Sequence, residues 1–518
     1  MNVATSFLSV YFIALIGIGI WATRRGAGQN LESYFLGGRS VGPMVTGLTL
    51  QATAMSGYQF LGAGALGHTQ GYFSLWYMLG DMGGGVLNMS ILGRRMRKLS
   101  QILGAVTSIE YLEKRYPSPW VRAIAAPLVL VLLFFYVLAQ FIAGGQGLAL
   151  VTGLDYTVAL VLAVGVITFY TYAGGYLAVA YTDAFQAFIM LIGVLWILFA
   201  ALSQLGGLGA ANETIGQIDS SLLTVWGQGL AYEGQWGVIL SALLIFSVGV
   251  LGWPHVVVRH MAMQRPSHAR RAAGYVMVWS LLFVSAPTLI GIISVATVPE
   301  GTDPELAIFV TAQQLLPAFA LGIVMAGIMA AIMSTADSIL LQAGTIAARD
   351  IYQRFINPQM NDRQMVWVSR SIVLAIAVVG VLIAAFEPPA VFDLVVFTTA
   401  ILGSAFAPVY VAAVWWPKAN SVGAIASIVT GAGITILWEL MDLAGGTGLG
   451  STLVGLVGST LALYLGSILT QRSHPVPPHI TRTLEETRRL GPIPADLLRS
   501  EDNRLAGEAN DVSRWLGR

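Results

Sequence analysis

The sequence predicts an all-α, polytopic membrane protein of about thirteen transmembrane helices, folded as an inverted repeat. Three observations carry that expectation. Apolar runs long enough to cross a bilayer, about 20 residues each, recur along the whole chain, which is 56% hydrophobic and only 10% charged, against about a quarter charged in soluble proteins. All 27 Lys and Arg residues fall on one face of the resulting topology. Two of the runs are broken by Gly, Pro and small polar residues at matching places. The runs are too continuous for barrel strands, which alternate over about ten residues.

The spans are read in order as 4–22, 42–67, 71–92, 124–152, 156–174, 178–204, 236–258, 272–297, 317–346, 365–386, 391–416, 421–443 and 450–470. The first has no basic residue before it, and Arg24 and Arg25 follow it. It therefore reads as a retained helix with the N-terminus outside, not as a cleaved leader. The remaining basic residues lie at Arg39, between Arg94 and Arg122, between Arg259 and Arg271, between Arg349 and Arg370, at Lys418, and from Arg472 onward. Every one falls after an odd-numbered span. The opposite loops hold none, including the long one from Gln204 to Trp236. The positive-inside rule then places the C-terminus in the cytoplasm. The tail 471–518 opens with Pro and His, becomes charged, and reads as a mobile segment with at most a short helix. It is too short for a catalytic domain.

Several classes are set aside by composition. Net charge is +1, which gives no electrostatic footprint for a nucleic-acid partner. There is no cysteine, so disulfides and thiolate metal sites are excluded. The six histidines lack metal-ligand spacing. No paired acids or His cluster lie at depth, so an intramembrane enzyme is not expected. The Gly pattern GAGALG, 62–67, follows a membrane span and has no βαβ context for a dinucleotide.

The second span contains QATAMSGYQFLG, with Thr53, Ser56 and Gly57 at mid-depth. The seventh contains FSVGVLGWPHVV, where Gly249, Gly252 and Pro254 interrupt the helix. Proline removes a backbone donor and clashes with the preceding turn. Backbone groups freed in a bilayer must line protein or a watered cavity. The two broken spans lie five apart and so run in opposite directions, the signature of an inverted repeat with solute and ion near the midplane. Two kinked packing helices are the plainer alternative.

The ninth span contains AAIMSTADSILL, 330–341. Ala331, Ser334, Thr335 and Ser338 follow i, i+3, i+4, i+7 and share one helix face. The Ser334 and Thr335 hydroxyls, with the carbonyls of Ala331, Ala52 and Met55, form an all-oxygen set suited to one hard monovalent cation. A small-residue packing seam would use the same residues. Asp81 and Asp337 are acids within spans and functional candidates by default. His255 reads as a packing residue near the inner mouth, and Asp393 and Glu439 as solvated helix-end acids.

Four passages resemble the sodium:solute symporter family: ESYFLGGRSVG (32–42), YTYAGGYLAVAYTDAFQAFIM (170–190), GWPHVVVRHMA (252–262) and GIMAAIMSTADSILLQAGTIAARDIY (327–352). The likeness covers nearly the whole chain, and the last passage is the most specific. The resemblance implies a leucine-transporter-type core of five plus five helices, one helix before it and two after. The chain then divides into 1–40 (extra helix and first cytoplasmic loop), a transport core 41–416 with repeats 41–204 and 236–416, two helices in 417–470, and the tail. It implies a sodium ion held by Ala52, Met55, Ala331, Ser334 and Thr335. A second sodium would use Asp183 with Ser338. A solvated Asp183, or one paired with Arg259 or Arg349, is the alternative.

The resemblance also implies a multi-pass plasma-membrane carrier, bacterial or archaeal, whose partners are a small solute, sodium and the lipid bilayer, with no protein partner implied. It leaves the solute open. The passage around GVLGWPHVVVR is similar to both proline and pantothenate carriers. Tyr136 matches a tyrosine of proline carriers, but Ala54 stands where they have aspartate, and Phe246 and Val250 where they have two aromatics. Candidate solute contacts are Thr53, Ser56, Gly57, Tyr136, Gln140, Phe246, Gly249 and Trp253. No Lys or Arg is expected at mid-membrane, so a carboxylate would meet backbone N–H groups at a broken helix or the sodium itself. The function expected is sodium-coupled uptake of an amino acid such as proline or a carboxylate such as pantothenate. The alternatives are a proton-coupled carrier of the same fold, with Asp183 and Asp337 as suspects, or a membrane solute sensor.

Overall fold

The computed structural model describes residues 3–26, 31–227, 234–386, 391–489 and, singly, 491, 493, 494 and 497. Among these, nine helices are long and apolar enough to cross a membrane. One of them, Tyr156–Leu205, is two spans joined at a kink where Gly175 has φ 59°. A Cβ there would meet Tyr34 as well as a strained backbone, so the joint requires glycine. Three more spans complete the thirteen expected. Two are the broken pairs Pro43–Ala54 with Gly62–Gln70, and Trp236–Ser247 with Pro254–Ala262. The third runs from Leu75–Asn88 through a π-turn into Arg94–Ile102.

Element ends follow local chemistry. Pro43, Pro119 and Pro254 each stand in the first turn of a helix, where a missing N–H costs nothing. The Asp155 carboxylate accepts from the Thr157 and Val158 amides, and Asn361 forms a capping box with Gln364, satisfying donors a helix start leaves free. Gly153 and Gly206 close helices in the left-handed conformation, as C-caps require.

The helix Ala318–Thr345 is the centre of the packing. It lies against Tyr156–Leu205, Pro119–Thr152, the N-terminal helix Val3–Gly26 and the first broken span, and is buried from Val324 onward on all sides. Outward faces such as those of Asp362–Ala384 carry half-exposed Leu, Val and Ile, as a lipid-facing surface does. Each broken span opens a run of five, and the helices Ser421–Leu440 and Ser451–Leu469 pack on each other after the second run.

Two expectations are corrected here. The seventh span does not end at residue 258; its inner half continues to Ala262, which brings Arg259 inside a helix. The start of the tail is packed instead of mobile: helix Pro478–Arg488 buries Ile480 and Leu484 against Arg94–Ile102, and Lys98 Nζ donates to the Arg489 carbonyl at 2.9 Å. The rest of the charged tail, 501–518, lies outside the described residues.

Candidate functional site

The first helix break sits where QATAMSGYQF changes from a ladder of intrahelical bonds to local ones. The helix stops at Ala54, Met55 takes ψ 81° and Ser56 is extended. The Ser56 hydroxyl accepts from the Tyr58 amide at 3.1 Å and restarts the chain as a short 3-10 turn, 57–59. The carbonyls of Ala52 and Thr53 lose their helical partners and face the hydroxyl stripe of Ala318–Thr345.

Ser334 donates to the Ala52 carbonyl at 2.8 Å and lies 3.2 Å from the Ala331 carbonyl. Thr335 donates to the Thr53 carbonyl at 2.8 Å and lies 3.4 Å from Ala331. All these groups are fully buried. Ala52, Ala331, Ser334 and Thr335 thus converge as expected, and Thr53 adds a carbonyl the sequence did not single out. Met55 is the residue at which the ladder ends, and the Ser334 and Thr335 hydroxyls go to the Ala52 and Thr53 carbonyls instead of its own. A hydroxyl has two lone pairs as well as its donor, so the set can present oxygen alone to a small cation.

One turn along, Asp183 and Ser338 meet as expected, but with company. Asp183 Oδ2 accepts from Thr49 at 2.6 Å and Thr53 at 3.0 Å, and lies 3.4 Å from the Ser338 hydroxyl. Arg259 enters the same cluster. Its Nη2 reaches Thr53 Oγ1 at 2.5 Å, Asp183 Oδ2 at 3.3 Å, and the Ser338 hydroxyl, and its Nη1 donates to the His255 carbonyl. Both members of the ion pair are buried, with Asp183 at 0% and Arg259 at 1% exposure. This corrects two expectations. A basic side chain does reach the polar core, because the second broken helix continues past 258 and a guanidinium extends along it. Thr53, expected at the solute, has its hydroxyl committed to this cluster. Of the two pairings foreseen for Asp183, the structure takes Arg259; Arg349 pairs with Glu110 at 2.7 Å.

The other solute candidates surround the break on its far side. Gln140 Oε1 accepts from the Gly57 amide at 2.9 Å, while Gln140 Nε2 is buried without a partner. A Cβ on Gly57 would sit 2.9 Å from Ile332, 3.1 Å from Gln140 and 3.2 Å from Ala143. Phe246 packs 4.7 Å from the Tyr58 ring and 6.1 Å from Trp253, which in turn lies 6.3 Å from Tyr136. Gly249 packs against Gly403: a Cβ on Gly403 would sit 2.6 Å from the Gly249 Cα. At Gly252 it would lie 2.6 Å from Ala407 N, and Pro254 restarts the helix. His255 is the packing residue expected: it is fully buried, stacked 5.8 Å from Trp253 and edge-on to Tyr136.

Sequence reasoning missed the partners that make these groups work. Asp81 is held by the Gln59 amide, beside Tyr58 and Tyr136. Asp337 accepts from the Tyr170 hydroxyl at 2.9 Å. Asn88 bridges His260 and the Val250 carbonyl, the latter at 2.7 Å, tying the second break to its neighbour. Each partner is distant in sequence and carried no local pattern. Asp393 and Glu439 are exposed, as expected.

Known proteins bear on this geometry at three levels. Residues 34–431 match the sodium:solute symporter family. The osmoregulated proline transporter OpuE of Bacillus subtilis (strain 168) is 29% identical over 472 residues, 90% of this chain and 94% of that one. The sodium/proline symporter of Staphylococcus aureus (strain JH9) is 29% identical over 480 residues, 90% and 92% of the two chains. Among solved structures, a Na+-coupled sialic acid symporter in a substrate-bound outward-open state superposes with TM-score 0.75 at 18% identity, covering 90% of this chain and 98% of that one. Mhp1, a nucleobase-cation-symport-1 family transporter, does so at 0.58 and 15%, covering 89% and 99%. At such identities the structures speak to fold alone, and that fold is the leucine-transporter-type inverted repeat. With the match spanning both broken helices and the hydroxyl stripe, the chain belongs to the sodium:solute symporter family.

Proposed function

We propose that this protein imports a small zwitterionic solute, proline first among candidates, together with sodium held by the carbonyls of Ala52, Thr53 and Ala331 and the hydroxyls of Ser334 and Thr335. The observation that carries the reading is the bonding of the Ser334 and Thr335 hydroxyls to carbonyls freed by the first helix break. An ion seated there ties the broken helix to Ala318–Thr345 and so fixes Ser56 and Gly57 beside the solute. The orientation follows the basic residues, with the N-terminus outside, the C-terminus and Arg259 end inside, and the core running 41–416 between the first helix and the last two.

The names of the relatives favour proline over pantothenate, and the site's charges favour a zwitterion. Asp81 offers carboxyl oxygens to a substituted ammonium. Gln140 Nε2 offers a donor to a carboxylate, and both His255 ring nitrogens are buried without a partner. Arg259 is already engaged by Asp183, so a purely anionic solute would find no free cation at this site among the described residues. Ala54 and Val250 depart from proline carriers and set the solute pocket apart from theirs. A potential of 100 mV supplies about 2.3 kcal/mol per charge, and a tenfold sodium gradient about 1.4 kcal/mol. Together they support accumulation of a neutral solute by several hundredfold per sodium, on the order of 10²–10³.

The reading is tested by equilibrium binding of labelled proline and pantothenate to purified protein in sodium and in potassium buffer. Sodium-dependent proline binding, weakened by Gln140→Leu and by Asp81→Asn, is expected; binding equal in both buffers contradicts it. Proton coupling is the second reading, favoured by Asp337, a fully buried acid that accepts from the Tyr170 hydroxyl. It predicts binding that follows pH and ignores sodium.

A further inference from the structure

We propose that a groove on the membrane face between 156–174 and Asp362–Ala384 holds one anionic phospholipid, its acyl chain in the groove and its phosphate at Arg370. The groove has a volume of about 530 Å³ and is lined mostly by apolar side chains, with hydroxyls only on Thr168 and Tyr172. Its walls are half-exposed, with Val161 at 51%, Phe169 at 55%, Val378 at 52% and Leu382 at 57%. From Val161 to Tyr172 is eleven helical steps, roughly 16 Å, against a leaflet's half of the ~30 Å hydrocarbon layer. The groove is therefore one acyl chain deep.

Arg370 stands at one end of it. Its guanidinium carbon lies 5.4 Å from the ring of Tyr172, a groove residue, and 5.3 Å and 5.7 Å from those of Tyr34 and Trp367. One Nη2 bond goes to the Ala173 carbonyl at 3.2 Å, and Nε is buried without a partner. No carboxylate among the described residues pairs with it, whereas Arg122, Arg259, Arg349 and Arg354 all have one. Arg363, seven residues earlier, lies on the same stripe of the helix, and Leu374, Ala377 and Val381 continue that stripe into the groove. Two cations followed by an apolar channel match a phosphate followed by an acyl chain. Under the orientation proposed above, this end is cytoplasmic, where anionic lipids and basic pockets meet.

The test is native mass spectrometry of the full-length protein after controlled delipidation, with phosphatidylglycerol and phosphatidylcholine of identical chains as probes. Wild type should keep one phosphatidylglycerol under conditions that strip phosphatidylcholine. Arg370→Gln should weaken retention about tenfold, and Arg370→Lys should keep part of it. Gly165→Phe should abolish retention by filling the groove; a Cβ at Gly165 meets open space, so the fold can take the ring. Thermal melting of each variant identifies a mere folding loss, and Gly165→Phe still tests the site if Arg370→Gln melts early. Equal retention of both lipids by wild type overturns the proposal. So does retention unchanged in Arg370→Gln and Gly165→Phe, or a protein dimer, in place of a bound lipid, that Gly165→Phe dissolves. The lipid measurement does not depend on solute uptake, so it stands or falls apart from the transport reading.

Discussion

At the residue scale, the polar core is organised by two short stripes of side chains one helical turn apart. Ser334 and Thr335 serve the freed carbonyls, and Ser338 serves Asp183. The hydroxyl stripe was legible in the sequence because hydroxyls in an apolar run need partners, whereas Asp183 was singled out only through the family resemblance. The pairing of Asp183 with Arg259 was one alternative the sequence offered, but the depth Arg259 reaches was not legible there, since a span boundary read from hydropathy gives a depth for the Cα and says nothing of where a long side chain reaches. Its burial makes a sharp prediction. Asp183→Asn leaves an uncompensated guanidinium and should cost about 3–5 kcal/mol; Arg259→Gln should cost a similar amount, and the double variant should recover much of the loss. Thermal melting of the four proteins reads this cycle. Additive losses would mean that the pair contributes nothing as a pair. Separately, Ser334→Ala should weaken sodium binding by about tenfold or more, the worth of one bond to a charged group, as read from the sodium dependence of solute binding.

At the element scale, the breaks are where sequence and structure agree most closely. Pro254 and the Gly-rich turn before it dictate a restart, and the extended Ser56 dictates the other. Gly57 lies so close to Ile332, Gln140 and Ala143 that Gly57→Ala must displace one of them and should weaken solute binding, with a lowered melting temperature. Wild-type affinity in that variant would remove Gly57 from the pocket. The ion-pair clamp around Glu110 was hidden, because its members come from three separate elements. The short helix Ser108–Arg115 carries Glu110, which meets Arg349 at 2.7 Å, Lys114 at 3.6 Å and Arg122 at 3.6 Å, and Glu113 meets Arg354 at 2.6 Å. Burial alone would raise the Glu110 carboxyl, but Arg349, Lys114 and Arg122 outweigh it and hold the group well below the ordinary glutamate range. A depressed folded value means that the clamp's contribution is complete above the unfolded value of about 4.3 and is lost as pH falls through the folded one. Melting temperature should therefore not vary with pH on account of this group between pH 5 and 8, above that unfolded value of about 4.3. Glu110→Gln should lower stability throughout that range. A variant that melts like wild type at pH 7 would show the clamp to be idle.

At the scale of the whole molecule, thirteen spans, their order and the inverted repeat followed from apolar runs, the one-sided Lys and Arg, and two interruptions. These are properties of the chain's contact with lipid, which imposes itself residue by residue. What stayed out of reach were the contacts between helices distant in sequence: Asp81 with Gln59, Tyr170 with Asp337, and the tail helix against Arg94–Ile102. Those depend on how two helices face each other, and periodicity fixes only which face of each is buried. The functional claim joins the scales, since one ion must connect a broken helix to the hydroxyl helix before the solute can be held and carried. The most direct test is uptake of labelled proline by purified protein in liposomes, with and without an inward sodium gradient, beside the Ser334→Ala/Thr335→Ala variant. Gradient-driven accumulation that a negative interior potential increases and the double variant loses is the predicted result. Uptake indifferent to sodium and to both substitutions would contradict it.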